Sequence, residues 1–174
     1  MKVLHIYGEG YDGQEAAPRI ACRAVILKEG ELLLSYETKN DQWMLPGGGL
    51  EADETDAECC VREVEEETGI LAAVSDCFLE IHEYFPDSRW VNRYFLCREM
   101  GKGRKQLTKQ EIKAGMEPRW LPLEEIKGIF GGHQAYAETD EMRRGLYFRE
   151  FTALCELEQY LTDTENQKYR GSAS

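Results

Sequence analysis

Apolar and polar positions along this chain follow two periods. Ile20 to Leu27 reads Ile-Ala-Cys-Arg-Ala-Val-Ile-Leu, with the β-branched content of a strand. Lys28-Glu29-Gly30 turns it, and Glu31 to Tyr36 supplies a hairpin partner. A polar loop from Thr38 to Gln42 leads into a short strand at Trp43 to Leu45. Farther on, Ala72 to Tyr84 alternates enough for one or two strands, and Pro86-Asp87-Ser88 marks a turn. Trp90 to Cys97 is a strong strand, and Pro118 to Leu121 a final short one. Val3 to Tyr7 reads either as an edge strand or as part of a homodimer contact, and Tyr11 to Pro18 as loop.

The helical period appears between the strands and at the end. Thr55-Asp56-Ala57-Glu58 fits a capping box, and Gly69 suits a C-terminal cap, so a helix is expected over about 56–68. At about 100° per residue, Ala57, Val61, Val64 and Thr68 share one narrow face, expected to pack on a core. Glu63, Glu66 and Glu67 fall on another arc, with Arg62 at its edge. Leu123 to Ile129 begins a short helix. Thr139 to about Leu161 begins a longer one, striped by Met142, Leu146, Leu154, Leu157 and Leu161 for a core or dimer interface. The polar tail from Thr162 to residue 174 is expected to fray, and residues 1–19 read as an N-terminal extension of one domain spanning 1–174.

Composition describes an ordinary soluble globule, with 42% hydrophobic and 31% charged residues. A formal charge of −12 argues against DNA binding through phosphate contacts. The acid is concentrated: residues 48–70 hold nine acidic side chains against Arg62 alone, leaving −8 of the −12 there. No apolar run reaches a membrane span and no signal peptide is evident, so a cytoplasmic protein is expected. The six cysteines, at 22, 59, 60, 77, 97 and 155, have neither zinc-site nor disulfide-framework spacing and read as reduced, mostly buried thiols.

The chemistry gathers in that acidic stretch. Gly47-Gly48-Gly49 lets the backbone turn sharply and approach a bound group. Three carboxylates on one helical arc repel one another, and oxygen-rich clusters of this kind suit hard cations such as Mg²⁺ or Mn²⁺. The spacing runs Gly48, five residues, Glu54, seven residues, Arg62-Glu63-Val64, one residue, Glu66-Glu67, one residue, Gly69-Ile70. This resembles the complete signature of the Nudix (MutT-like) hydrolases, whose nine fixed positions all match.

The resemblance implies a Nudix-type α/β/α sandwich, with a mixed sheet and a loop–helix–loop catalytic box. It implies a metal-dependent pyrophosphohydrolase acting on a nucleoside diphosphate linked to another moiety, such as ADP-ribose, a nucleotide sugar or a nucleoside triphosphate. Mg²⁺, with Mn²⁺ as substitute, would be held by Glu63, Glu66 and Glu67, with the Gly47 carbonyl and Glu54 as further candidates. Arg62 would orient the glutamates. Glu66 and Glu63 in the box, or Glu111 and Glu117 on a later loop, are the candidates for general base. Lys39, Arg93 and Lys105 are candidate phosphate contacts, together with the basic turn 101–105, and Trp43, Trp90, Tyr94 and Trp120 are candidate base-stacking residues. A nucleotide-binding sensor without turnover is the alternative reading.

Overall fold

The computed structural model describes residues 1–14 and 16–171, the stretch 167–171 as backbone only. It divides into two compact units, one over Met1–Ile126 and one from Lys127 onward. The first unit holds the strands and the acidic helix. Its elements are β1 (Lys2–Tyr7), β2 (Pro18–Lys28), β3 (Glu31–Glu37), β4 (Gln42–Met44), β5 (Gly47–Gly49), α1 (Asp56–Thr68), β6 (Ile70–Phe85), β7 (Ser88–Lys102), α2 (Lys109–Ala114) and β8 (Met116–Pro122). Helix α3 (Leu123–Gly131) straddles the boundary, and a 3₁₀ turn (Gly132–Tyr136) and α4 (Glu141–Gly171) follow.

The strands form one mixed sheet in the order β1-β6-β7-β2-β3-β4, with β5 paired to β2 and β8 to β3. β2 runs parallel to β7 from Pro18↔Arg89 to Ile26↔Cys97, and β1 runs parallel to β6. The other pairings are antiparallel. The β2–β3 hairpin closes through Glu29 and Gly30, both at positive φ (53° and 86°), the geometry of a two-residue primed turn. β6 and β7 are longer than expected, a single hairpin whose register shifts at three places between Leu71 and Leu79. Such bulges interrupt alternation, which is why the sequence shows only fragments of β6.

α1 covers one face of this sheet. Cys59, Cys60 and Val64 pack with Cys22, Ala24, Ile26, Leu33, Phe95 and Cys97, and Trp120 joins them half-buried. The buried face differs from the expected one. Ala57 is exposed and Val61 only half-buried, while Cys59, Cys60, Glu67 and Thr68 are buried beside Val64. The core-facing arc is thus rotated by roughly 60° on the helical wheel. Free cysteine behaves as a small apolar side chain, so Cys59 and Cys60 outweigh Ala57 and Val61 in the core. All six thiols are free, and Cys22, Cys59, Cys60 and Cys97 are buried as expected.

The remaining differences are local. The triple glycine is not an open loop but a short strand, β5, paired Ala21↔Gly49, Cys22↔Gly48 and Arg23↔Gly47. A helix, α2, occupies what read as loop around Glu111. In the second unit, α4 continues past Leu161 through Gly171, into the stretch expected to fray, and residues 172–174 of that stretch lie outside the described residues. Leu154 and Leu157 of its stripe are buried, but Met142 is 87% exposed. Among the described residues no helix is long and apolar enough to cross a membrane.

Candidate active site

The site grows from the local chemistry of α1. Thr55 accepts from the Glu58 N–H at 3.3 Å, and Glu58 returns the bond to the Thr55 N–H at 2.8 Å. Gly69, at φ 71°, closes the other end by donating to the Glu65 carbonyl. These caps fix where the helix starts and stops, and so which side chains reach the sheet and which reach β5.

Arg62 collects three glutamates. Its Nε and Nη2 grip both oxygens of Glu54 at 2.9 and 2.7 Å. Nη1 donates to Glu63 at 2.8 Å and to Glu66 at 3.1 Å, and Nη2 also reaches the Gly49 carbonyl at 3.2 Å. The arginine therefore ties the helix to the loop behind β5 while holding like charges together. Its guanidinium, a bidentate partner, draws the Glu54 carboxyl down to about 2.

Glu63 and Glu67 sit deeper. Burial raises the Glu63 carboxyl above its ordinary value, Arg62 opposes this, and the charges of Glu66 and Glu111 add to it. A Cβ on Gly48 would lie 2.5 Å from the Glu63 carboxylate, so that glycine forms the cradle in which it rests. Glu67 is 4% exposed. Ser35 Oγ donates to its Oε2 at 2.5 Å, and the Gly47 N–H reaches the same oxygen at 3.2 Å. Burial nevertheless pushes the Glu67 carboxyl up to about 8. Gly47 itself is obligatory: at φ 148° its Cβ would stand 2.1 Å from the Cys22 carbonyl. The resemblance implies a role for its carbonyl; the structure shows its N–H donating to Glu67.

The basic turn docks on the end of α1. Gly103 N–H donates to the Gly69 carbonyl at 2.9 Å, Gln106 N–H to the Glu66 carbonyl at 2.8 Å, and Arg104 N–H to the Glu65 carboxylate at 3.1 Å. α1 has no basic residue in its own last turn, and the turn that docks on its C-terminal end carries Lys102, Arg104 and Lys105. An open groove of about 500 Å³ runs alongside, lined by Ala57, Val61, Arg62, Glu66, Val74 and Gln106.

Other expected residues divide clearly. Glu111 lies on α2, not on a loop, where it completes a second capping box with Thr108, and its charge still reaches Glu63. Glu117 lies on β8 in an ion pair with Arg119. Arg93 is committed to Glu80 and Asp56, bridging β6 to the start of α1. Lys105 Nζ reaches the Met116 carbonyl at 3.5 Å, and Lys39 is exposed on the β3–β4 turn. Trp43 stacks on Tyr36, Trp90 lies under Arg19, and Tyr94 is wholly buried. Ser35 was missed by sequence reasoning. Its signal was a lone hydroxyl at a core-facing position in the apolar run Leu32-Leu33-Leu34-Ser35.

The donor set fits a hard divalent ion. Glu63, Glu66 and Glu67 offer only oxygen, and Glu67 is a buried carboxylate whose charge burial disfavours. Glu63 and Glu66 are turned onto Arg62, and among the described residues no three His, Cys, Asp or Glu side chains stand arranged to hold a metal. Each of those two carboxylates gives Arg62 one oxygen, Oε1 of Glu63 and Oε2 of Glu66.

The model of the NUDIX domain matches residues 17–142. Phosphatase NudJ of Escherichia coli strain K12 is 37% identical over 86 residues, 48% of this chain and 56% of that protein. The chain thus spans little more than half the length of the curated relatives it matches. Among solved structures, a NUDIX hydrolase from Nitrosomonas europaea superposes with a TM-score of 0.56 at 23% identity, over 77% of this chain and 90% of that one. A UDP-X diphosphatase does so at 0.52 and 22%, over 64% and 54%. These two are likenesses of fold, and the fold of this chain is the expected α/β/α sandwich on a mixed sheet.

Proposed function

The chain belongs to the NUDIX family, and from this premise we propose that it is a hydrolase that cleaves the diphosphate bond of a nucleoside diphosphate linked to another moiety. ADP-ribose, nucleotide sugars and nucleoside triphosphates are the substrate classes. The observation that carries the reading is the clamp: one arginine gathering Glu54, Glu63 and Glu66 beside a buried Glu67, all against the glycine strand. A scaffold with no need of a cation has no reason to crowd three carboxylates around one guanidinium with a fourth buried beside them.

Glu63, Glu66 and Glu67 would hold a divalent ion, Mg²⁺ or Mn²⁺, with Glu54 and the Gly47 carbonyl in support. When bound, that ion neutralises the diphosphate and acidifies water. The protein's own groups do the rest. Arg62 keeps Glu54 paired and so holds the end of β5 in place. Gly48, lacking a side chain, leaves room for Glu63 against the backbone. Glu66, at 35% the most exposed of the carboxylates on Arg62, would take a proton from the attacking water. Glu111 is the second candidate for that proton, favoured over Glu117 because its charge already reaches Glu63. Water adds to one phosphorus and the bridging oxygen leaves with the other phosphate, so ADP-ribose or a nucleotide sugar gives two phosphate monoesters and a nucleoside triphosphate gives a nucleoside monophosphate and inorganic pyrophosphate.

The test is hydrolysis of each substrate class with Mg²⁺ and then Mn²⁺, beside Glu66→Gln and Glu111→Gln. The reading expects metal-dependent turnover that falls about 10²-fold or more in the variant lacking the base. Tight nucleotide binding without turnover in the wild type would move the chain to the sensor reading.

A further inference from the structure

One buried hydroxyl outside the acidic stretch points into the site. Ser35 lies on β3, in register with Met44 of β4 on one side and Pro118 of β8 on the other. It is 0% exposed. A strand flanked on both sides holds its Cα in place, so the reach of Oγ is set by the sheet. That reach ends on Glu67 Oε2, at 2.5 Å, and the Gly47 N–H meets the same oxygen from β5. Two uncharged donors from two strands thus converge on one oxygen of one carboxylate. Neither of these bonds engages Oε1.

The other candidate ligands are held differently. Glu63 and Glu66 lie on Arg62, a cation that competes with any metal for the same oxygens. Of the three, Glu67 is the one oriented by neutral donors, which fix direction without neutralising charge. We propose that Ser35 is a positioning residue of the hydrolase site: with the Gly47 N–H it anchors Glu67 through Oε2 and presents Oε1 to the divalent ion. This rests on the metal-site reading above. Outer partners of this kind set ligand orientation, and their loss weakens metal affinity by about 10–100-fold.

The experiment is Mn²⁺ binding to the full chain without substrate, read by the electron paramagnetic signal of free Mn²⁺ and by titration calorimetry. Wild type is compared with Ser35→Ala, Ser35→Thr and Glu67→Gln. Ser35→Ala is expected to bind Mn²⁺ about 10–100-fold more weakly. Its half-activating Mn²⁺ concentration should rise by a similar factor, more than kcat falls. Ser35→Thr keeps the hydroxyl and should recover most of the affinity. Ser35→Cys, with a weaker donor, takes its place with intermediate affinity if threonine does not fold. Urea unfolding in chelator and in Mn²⁺ separates this from plain support of the fold: a merely structural serine lowers both stabilities equally, whereas a positioning serine shrinks the stabilisation that Mn²⁺ adds. Wild-type affinity in Ser35→Ala, with affinity lost in Glu67→Gln, overturns the role of Ser35. Wild-type affinity in Glu67→Gln as well overturns the metal-site reading beneath it.

Discussion

Glu67→Gln exchanges a buried carboxylate for an amide of nearly the same shape. Its effect on the metal-free protein follows from the environment of that one group. Burial raises the carboxyl from its ordinary 4.5 to about 8. Between those values the native state holds a proton that the unfolded chain has lost. Unfolding then releases protons, so wild-type stability falls as pH rises from about 4.5 to about 8 and is flat above. At about 1.4 kcal/mol per tenfold, the full loss is about 5 kcal/mol. The bonds from Ser35 and Gly47 favour the charged form, and weakening them removes roughly 1–2 kcal/mol of support. Some reorganisation of the amide takes a further share. Glu67→Gln should therefore be more stable than wild type by roughly 2–3 kcal/mol at pH 9, and less stable by roughly 2–3 kcal/mol below pH 4.5. The assay is urea unfolding in chelator, followed by tryptophan fluorescence, across that range. A variant weaker than wild type by the same margin at pH 5 and pH 9 would refute the reasoning.

Other perturbations separate the parts of the site. Gly47→Ala forces a side chain onto the Cys22 carbonyl at positive φ and should lose more than about 3 kcal/mol by urea unfolding. Gly48→Ala meets only the movable end of Glu63, so it should fold with a melting temperature near wild type and bind Mn²⁺ roughly tenfold more weakly by calorimetry. Arg62→Ala strands three like charges, and its melting temperature in chelator should drop; Mn²⁺ should recover more of that loss in the variant than it adds to wild type. Glu54→Gln removes a carboxyl held down by Arg62, so its deficit should be full above pH 4.5 and vanish as pH falls toward 2 in an acid-unfolding series.

Much of α1 was legible because its signals are local. Thr55, Glu58 and Gly69 act within a turn of the helix, and the spacing of Arg62, Glu63, Glu66 and Glu67 carries the family signature in a single stretch. The same capping signal stood at Thr108 and Glu111, with Gly115 behind it, yet six residues of helix leave too little periodicity to show against a polar background. The rotation of α1 could not be read from a hydrophobic wheel. It depends on counting cysteine as apolar and on a glutamate buried by strand partners far away in sequence. β5 was hidden for a related reason, since three glycines have no side-chain pattern and their strand exists only through pairing with β2. Ser35 is the sharpest case: its meaning lies wholly in Glu67, which follows it by 32 residues.

The most direct test of the account is product release from a panel of diphosphate compounds. Triphosphates, ADP-ribose, nucleotide sugars and dinucleotides are incubated with wild type and Glu67→Gln, in Mg²⁺, in Mn²⁺ and in chelator. The account predicts turnover of at least one class in divalent metal, none in chelator, and loss of that turnover in folded Glu67→Gln. Equal turnover by wild type and Glu67→Gln, or turnover that persists in chelator, would contradict it.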